Sequence, residues 1–318
     1  MEYPKFKEME RAYGFDEVAL VPGDVTVNPD QTDVGFAIGP YRFQFPIIAS
    51  AMDAVVSPRM AVKYGKLGGL AVLNLEGVQT RYEDADAVLQ KIADATQSEV
   101  TALLQKLYAE PIKDELVAKR VTEIKAGGVV CAVSVTPANT KRLAPIAKDA
   151  GMDILVVQST VTTASHISKS ARGIILSELC EQIKLPVVVG NCCSYNAALE
   201  LMRTGIDAIL VGVGPGAACT SREVLGIGVP QISATSECAA ARETYYKETG
   251  RYVMLITDGG FRVGSDVCKA IAAGADAIMM GSPLAQAIDA PGHGFHWGMS
   301  HPHPALPRGT RVKVGQNA

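Results

Sequence analysis

The chain has 318 residues, 48% of them hydrophobic and 20% charged, with 30 basic against 33 acidic side chains and a formal net charge of -3. A body of this size buries roughly three quarters of the surface its unfolded chain exposes, so it needs no disulfide or metal to hold a core, and disordered, collagen-like and miniprotein classes are excluded. With no basic run longer than two residues, it shows no footprint for nucleic acid or an anionic membrane, which leaves small molecules as the expected partners.

The seven cysteines are an odd number, and Cys192 and Cys193 are adjacent, a poor geometry for bridging one another. The first eight residues lack the apolar core of a signal peptide, and no window approaches the roughly eighteen apolar residues of a membrane span. The expectation is a soluble, cytoplasmic protein with reduced thiols.

Along the chain, short apolar runs of β-branched character alternate with longer helical stretches, the pattern of parallel strands buried on both faces and joined by crossover helices. Eight such runs occur, at 47–50, 69–74, 129–135, 154–159, 187–191, 208–213, 253–257 and 277–281. Three are entered through Gly151-Met-Asp153, Gly205-Ile-Asp207 and Gly274-Ala-Asp276, each a helix-ending glycine followed by a turn carboxylate. Eight β/α units fit a closed (β/α)8 TIM barrel, whereas a doubly wound sheet more often stops at about five or six strands. The predicted fold class is therefore α/β, one barrel domain spanning 1–318.

Two intervals are longer than the rest, 75–128 after the second run and 214–252 after the sixth, and both leave strand C-termini, the catalytic rim of such a barrel. The first is charged and helical in pattern, breaks at Pro111, and reads as a packing or oligomer-contact element rather than a lid. After the eighth run the chain is rich in Pro, Gly and His from Asp289 to Arg308, and 289–318 reads as a flap and tail without a closing helix.

The segment Gly212-Val-Gly214-Pro-Gly216-Ala-Ala-Cys219-Thr220-Ser221-Arg222 follows the sixth run. Its glycines allow a tight turn close to a ligand, and a thiol at the barrel mouth can act as a nucleophile once it is a thiolate, favoured by loop amides or Arg222. The hydroxyls of Thr220 and Ser221 are placed to relay protons. A free cysteine is otherwise a small apolar residue, the reading for Cys131, Cys180, Cys192, Cys193, Cys238 and Cys268; Cys219 has no apolar periodicity around it to explain it that way. Gly212-x-Gly214-x-x-Ala217, with Glu237 further on, also imitates a dinucleotide fingerprint, but Pro215 removes a backbone donor where a pyrophosphate needs one.

Asp258-Gly259-Gly260 ends the seventh run and Gly281-Ser282 follows the eighth. Glycine turns at these two positions frequently hold a phosphate on backbone amides, and Asp258 is placed to accept ribose hydroxyls; tight βα turns are the plainer alternative. Together they point to a nucleoside monophosphate. Ser50 and Asn191, polar ends of buried strands, are ligand contacts or helix caps. His293, His296, His301 and His303 lack a helical metal frame or a cysteine pair, so a flap is the better reading than zinc.

These segments, with Ser50-Ala-Met52-Asp53, Gly264-Ser-Asp-Val and Gly274-Ala-Asp-Ala-Ile-Met-Met-Gly-Ser282, resemble the IMP dehydrogenase/GMP reductase family from about Phe15 to Met299. The resemblance implies a TIM barrel, usually an oligomer (tetramer or octamer), acting in purine metabolism or salvage on GMP or IMP with NADPH, NADH or NAD through a covalent cysteine–C2 thioimidate. By that analogy Cys219 is the nucleophile with Thr220 and Ser221 assisting, and Ser221 stands where threonine is usual. Asp258 and Gly259 would hold ribose, Gly260, Gly281 and Ser282 phosphate, Ser50, Met52, Asn191 and Gly216 the nucleotide surround, and Gly298 and Met299 the base edge. Asp53, Gln158, Ser159, Gly212 and Gly214 would lie toward the cofactor, and carbonyls of Gly214, Gly216 and Cys219 would match a potassium site. Ala217, Gln158, His296 and Leu73-Asn74 replace a usual serine, aspartate, tyrosine and His-Lys pair. Gly-Pro-Gly-Ala-Ala-Cys and His-Trp-Gly-Met are most similar to the short bacterial IMP-dehydrogenase-related branch without the regulatory CBS domain.

A dehydrogenase of this family hydrolyses its adduct with an Arg-Tyr pair on a flap; none lies between Gly292 and Ala318, and Arg251-Tyr252 enters the seventh run at the other end of the barrel. The expectation is therefore GMP reductase, with IMP dehydrogenase as the alternative. Outside redox chemistry, a lyase or isomerase lacks the expected lysine or paired carboxylates at strand ends. A catalytically silent nucleotide sensor would have no use for Cys219.

Overall fold

The computed structural model describes residues 10–165, 174–298 and 311–316. Eight parallel strands, β1 (Ile47–Ala49), β2 (Leu70–Asn74), β3 (Ala132–Val135), β4 (Ile154–Gln158), β5 (Val187–Cys192), β6 (Ala208–Val211), β7 (Met254–Asp258) and β8 (Ala277–Met280), form a closed ring in which β8 pairs with β1. They are the eight runs read from the sequence, and the fold is a (β/α)8 barrel.

The apolar runs make strands because alternate residues serve two different cores. In β5, Val187 and Val189 pack outward against the helices while Val188 points into the lumen; in β4 the same split separates Leu155 and Val157 from Ile154 and Val156. Both faces are dry, so no polar alternation survives in the sequence. The N-terminal mouth is closed by an antiparallel hairpin of Phe36–Ile38 with Tyr41–Phe43, whose Phe36, Ile38 and Phe43 join the luminal core. This plug was not among the sequence expectations; its strands are three residues each, too short for a periodic signal.

Helices α1 (Pro58–Lys66), α2 (Ala85–Asp94), α3 (Val100–Tyr108), α4 (Asp114–Ala126), α5 (Thr140–Asp149), α6 (Leu176–Ile183), α7 (Tyr195–Met202), α8 (Ser221–Leu225), α9 (Gln231–Thr249), α10 (Gly264–Ala272) and α11 (Ser282–Ala285) surround the strands. Their starts are set by local chemistry: the Ser57 hydroxyl accepts the Met60 N–H at 3.2 Å to begin α1, and Asp84 accepts the Ala87 N–H at 3.0 Å to begin α2. In the interval after β2, α4 is the ordinary crossover helix and α2–α3 are the extra piece, with Pro111 in the gap between α3 and α4. The extra pair has a core of its own, in which Leu89, Ile92, Val100 and Leu104 meet Ala54 and Trp297 on the barrel rim.

The three Gly-x-Asp joints have a common construction. Gly151, Gly205 and Gly274 have φ of 100°, 93° and 110°, a left-handed turn that a side chain would strain. The aspartate two residues on then accepts the N–H at the start of a neighbouring strand: Asp153 from Cys131 at 2.7 Å, Asp207 from Val187 at 2.9 Å and Asp276 from Leu255 at 2.7 Å. Each carboxylate also meets a cation, Lys125, Arg251 and Arg242 respectively. Among the described residues no helix is long and apolar enough to cross a membrane.

Candidate active site

The C-terminal ends of the strands gather most of the residues singled out in the sequence. At the end of β6 the chain turns through Gly212, with φ 138°. A Cβ there would stand 2.4 Å from Gln231 Nε2 and 2.5 Å from the Asp258 carbonyl oxygen, so only glycine fits without displacing both. Gln231 is the first residue of α9; its buried amide donates to the carbonyls of Val211 and Asp258, each at 2.9 Å, and so ties the ends of β6 and β7 together. Sequence reasoning missed it, because a glutamine opening a helix carries no pattern that distinguishes a buried bridge from a solvated side chain.

Beyond Gly212, Arg222 fixes the loop. Its guanidinium donates to Val213 O at 3.0 Å and Val229 O at 2.6 Å, and its stem packs against Gly214. Arg222 was expected to favour the thiolate; its hydrogen bonds go to the loop backbone instead. The Cys219 N–H closes a turn on Gly216 O at 3.0 Å, which leaves the side chain exposed, with its thiol donating to Ser221 Oγ at 3.2 Å. Thr220 supplies the carbonyl that accepts the Val224 N–H at 2.8 Å. Cys131, Cys192 and Cys238 are buried, and burial pushes Cys131 up to about 12 and half-buried Cys180 up to about 11. Cys268 departs from the apolar reading: it is exposed on α10, because that helix turns its position toward solvent.

Beside the loop, Asp258 ends β7 and its side chain meets β4 and β5. Its Oδ2 accepts from Asn191 Nδ2 at 2.8 Å and from Gln158 Nε2 at 3.0 Å, and Gln158 Nε2 lies 3.2 Å from Asn191 Oδ1. Burial raises its pKa to about 6, outweighing the two amide hydrogen bonds that favour the ionised form. Gln158 Oε1 is buried without a hydrogen-bond partner. The next turn, Gly259-Gly260, packs against Pro215, at 3.2 Å and 3.3 Å from where their Cβ atoms would be. The β7 turn and the cysteine loop therefore share one wall.

At the β8 end, a Cβ on Gly281 would meet Met52 Sδ at 2.6 Å and Ser50 Oγ at 2.9 Å, which puts Ser50, Met52 and Gly281 at one spot. The Ser50 hydroxyl is buried with no hydrogen-bond partner. Ser282 Oγ lies 2.9 Å from His296 Nε2; burial lowers the imidazole pKa and its Nδ1 is also buried without a partner. Unfilled polar atoms of this kind cost free energy when they are left dry, and they are the groups a polar ligand would satisfy.

Other residues lie differently. Ser159 Oγ is engaged within its own loop, with Val161 O at 2.8 Å and Thr162 Oγ1 at 2.9 Å. Asp53, expected toward a cofactor, is buried, and its Oδ2 accepts from the Val78 N–H at 2.8 Å and from the Tyr108 hydroxyl. Gly298 comes within 3.6 Å of Ala218 O, measured from where its Cβ would be. Met299, His301 and His303 lie outside the described residues, and His293 is exposed. No group of three or more His, Cys, Asp or Glu that could hold a metal occurs among the described residues.

Two consecutive Arg-Tyr pairs are visible, and both are engaged in structure. Arg251 binds Gly205 O and Ile206 O, and Tyr252 binds Asp276, at the N-terminal end of the barrel as read from the sequence. Arg81 binds Glu76 O, and Tyr82 binds Leu107 O, beside the extra helices.

The family model for the IMP dehydrogenase/GMP reductase domain matches residues 12–300. The chain belongs to this family of oxidoreductases. An uncharacterized oxidoreductase of Mycobacterium tuberculosis is 38% identical over 311 residues, covering 96% of this chain and 83% of that protein. An inosine-5'-monophosphate dehydrogenase of Methanocaldococcus jannaschii is 28% identical, covering 91% and 74%. The crystal structure of an IMP dehydrogenase/GMP reductase-like protein from Corynebacterium glutamicum superposes with a TM-score of 0.90 at 37% identity, covering 98% of this chain and 84% of that one. Membership of the IMP dehydrogenase/GMP reductase family agrees with the barrel and with the order of its rim segments.

Proposed function

We propose that this chain is a purine nucleotide oxidoreductase working through Cys219, and that it runs as a GMP reductase. The observation that carries the reading is an exposed thiol, on a loop held by Arg222 and Gln231, sharing a wall with the half-buried Asp258 carboxylate and its Gly259-Gly260 turn. The orphaned Ser50 Oγ, Gln158 Oε1 and His296 Nδ1 fit a polar ligand and cofactor in that mouth.

In this reading Asp258 accepts the ribose hydroxyls, with Asn191 and Gln158 holding its carboxylate in place. Amides at Gly260, Gly281 and Ser282 take the phosphate, and neutral His296 orients Ser282. Cys219 as thiolate adds to C2 of GMP, the C2–N bond breaks, and ammonia leaves with protons passed through Ser221 and Thr220. A reduced nicotinamide bound on the Gln158 side would supply the hydride that C2 needs. The C–S bond then breaks with its electron pair returning to Cys219, and IMP is released. Gln158 and Ser159 line the cofactor side, while Asp53 is given no cofactor role because its carboxylate serves the rim. The loop carbonyls at Gly214, Gly216 and Cys219 are offered to potassium, although Gly216 O already receives the Cys219 N–H.

The dehydrogenase direction is favoured by relatives that carry that name. It needs a group to activate water, and both visible Arg-Tyr pairs are spent elsewhere. Absorbance at 340 nm with GMP plus NADPH or NADH, and separately with IMP plus NAD and potassium, tests the choice. Loss of reduced cofactor in the first mixture alone supports the reductase; gain in the second alone overturns it, and silence in both overturns redox function.

A further inference from the structure

Trp297 and Asp53 are far apart in the chain, yet they meet at one phenol. Tyr108, the last residue of α3, is partly buried against the small core of the extra helices; its hydroxyl donates to Asp53 Oδ2 and accepts from Trp297 Nε1 at 2.8 Å. Asp53 closes the turn that carries Ser50 and Met52, where Met52 N–H bonds Ser50 O at 2.7 Å and Val55 N–H bonds Met52 O at 2.8 Å. Trp297 immediately precedes Gly298, which lies against Ala218 O, one residue before Cys219. The Asp53 carboxylate is also wedged against Gly77, whose Cβ would overlap it, and is bonded by the Val78 N–H. One hydroxyl thus joins the β1 turn, the extra helices and the segment that reaches the cysteine loop.

We infer that Tyr108 is a positioning residue: it fixes Gly298 against the cysteine loop and the Ser50–Met52 turn beside Gly281, so that the extra helices set the geometry of the reacting side of the site. The phenol suits this role because it donates to a carboxylate and accepts from an indole at once, which neither partner can do for the other through a shorter side chain. Apolar packing steadies the arrangement: Leu104, Leu107 and Trp297 belong to the small core against which Tyr108 lies. The consequence for nucleotide handling rests on the proposed function; the consequence for the loop does not.

The experiment compares Tyr108→Phe and Trp297→Phe with Tyr82→Phe, which deletes a phenol bonded to Leu107 O in the same extra helices but linked to neither Asp53 nor Trp297. Iodoacetamide labelling of Cys219 is followed by peptide mass in the free protein, with melting temperature alongside. Labelling rates that change several-fold in the first two variants and stay at the wild-type rate in Tyr82→Phe, at similar loss of melting temperature, are expected. Equal labelling in all three and the wild type overturns the inference. Calorimetric titration with GMP and with IMP then reads the second consequence. About tenfold weaker nucleotide binding, with the nicotinamide KM unchanged, is expected. Wild-type protein that binds neither nucleotide overturns the proposed function, while the labelling result still decides the role of Tyr108.

Discussion

The two ends of the barrel treat polar groups in opposite ways. At the N-terminal end, Asp153, Asp207 and Asp276 each accept a strand N–H and meet a cation, and the lumen behind them is stoppered by Phe36, Ile38 and Phe43. At the C-terminal end, Ser50 Oγ, Gln158 Oε1 and His296 Nδ1 are buried without partners, and Cys219 is exposed. One end spends these carboxylates on the fold, while the other leaves these three side-chain atoms without a protein partner. The strands need both ends fixed, and at the open end Gln231 and Arg222 do this through backbone carbonyls and leave side chains for chemistry.

The sharpest break of that contrast is Cys219→Ala. If the thiol is the nucleophile, turnover falls by about 10⁴-fold or more while the melting temperature holds, because the side chain is exposed and packs nothing. Steady-state rates at matched nucleotide saturation check it, and retained nucleotide binding separates lost chemistry from a lost site.

The mirror experiment is Asp276→Ala at the closed end. It leaves Arg242, whose side chain is 9% exposed, without its 2.8 Å carboxylate and the Leu255 N–H without an acceptor. Stability should fall by on the order of 2–3 kcal/mol, since removing one partner of a buried pair strands the other. Urea midpoints read this, and kcat and KM at the distant rim should be those of the wild type.

A smaller effect concerns Asp258, whose pKa burial raises to about 6, above the ordinary carboxylate range. The folded state therefore holds this proton more tightly than the unfolded chain, so this one group favours the fold below about pH 4 and loses that contribution as pH rises through 6. Ribose binding has the opposite sign, because the ionised carboxylate accepts hydroxyls. Nucleotide kcat/KM should drop about tenfold per pH unit below 6. Asp258→Asn should flatten that limb; a limb that persists in it would assign the titration elsewhere.

How much of the site was legible depended on the kind of signal. Glycines with no helical or strand period around them, such as Gly212 and Gly214, marked a backbone with a special task, and a thiol beside them stood out. Gln231 and Tyr108 left no trace, because each sits within ordinary helical surroundings and acts through a partner remote in sequence, Asp258 for one and Trp297 for the other. Arg222 was legible as a cation but not as a clamp, since its two acceptors are carbonyls that every residue has.

By itself the sequence determined the barrel. Eight doubly buried strands are apolar along most of their length and three of their joints carry glycine and aspartate, features that are local and are written residue by residue. The tertiary structure alone decided which polar groups are spent and which are kept. Asp53 was drawn into the rim by Val78 and Tyr108, Asp258 was set between Asn191 and Gln158, and the extra helices were seated on Trp297. A hydrogen bond is fixed by distance in space, and for these groups the distance along the chain runs from 25 to 189 residues.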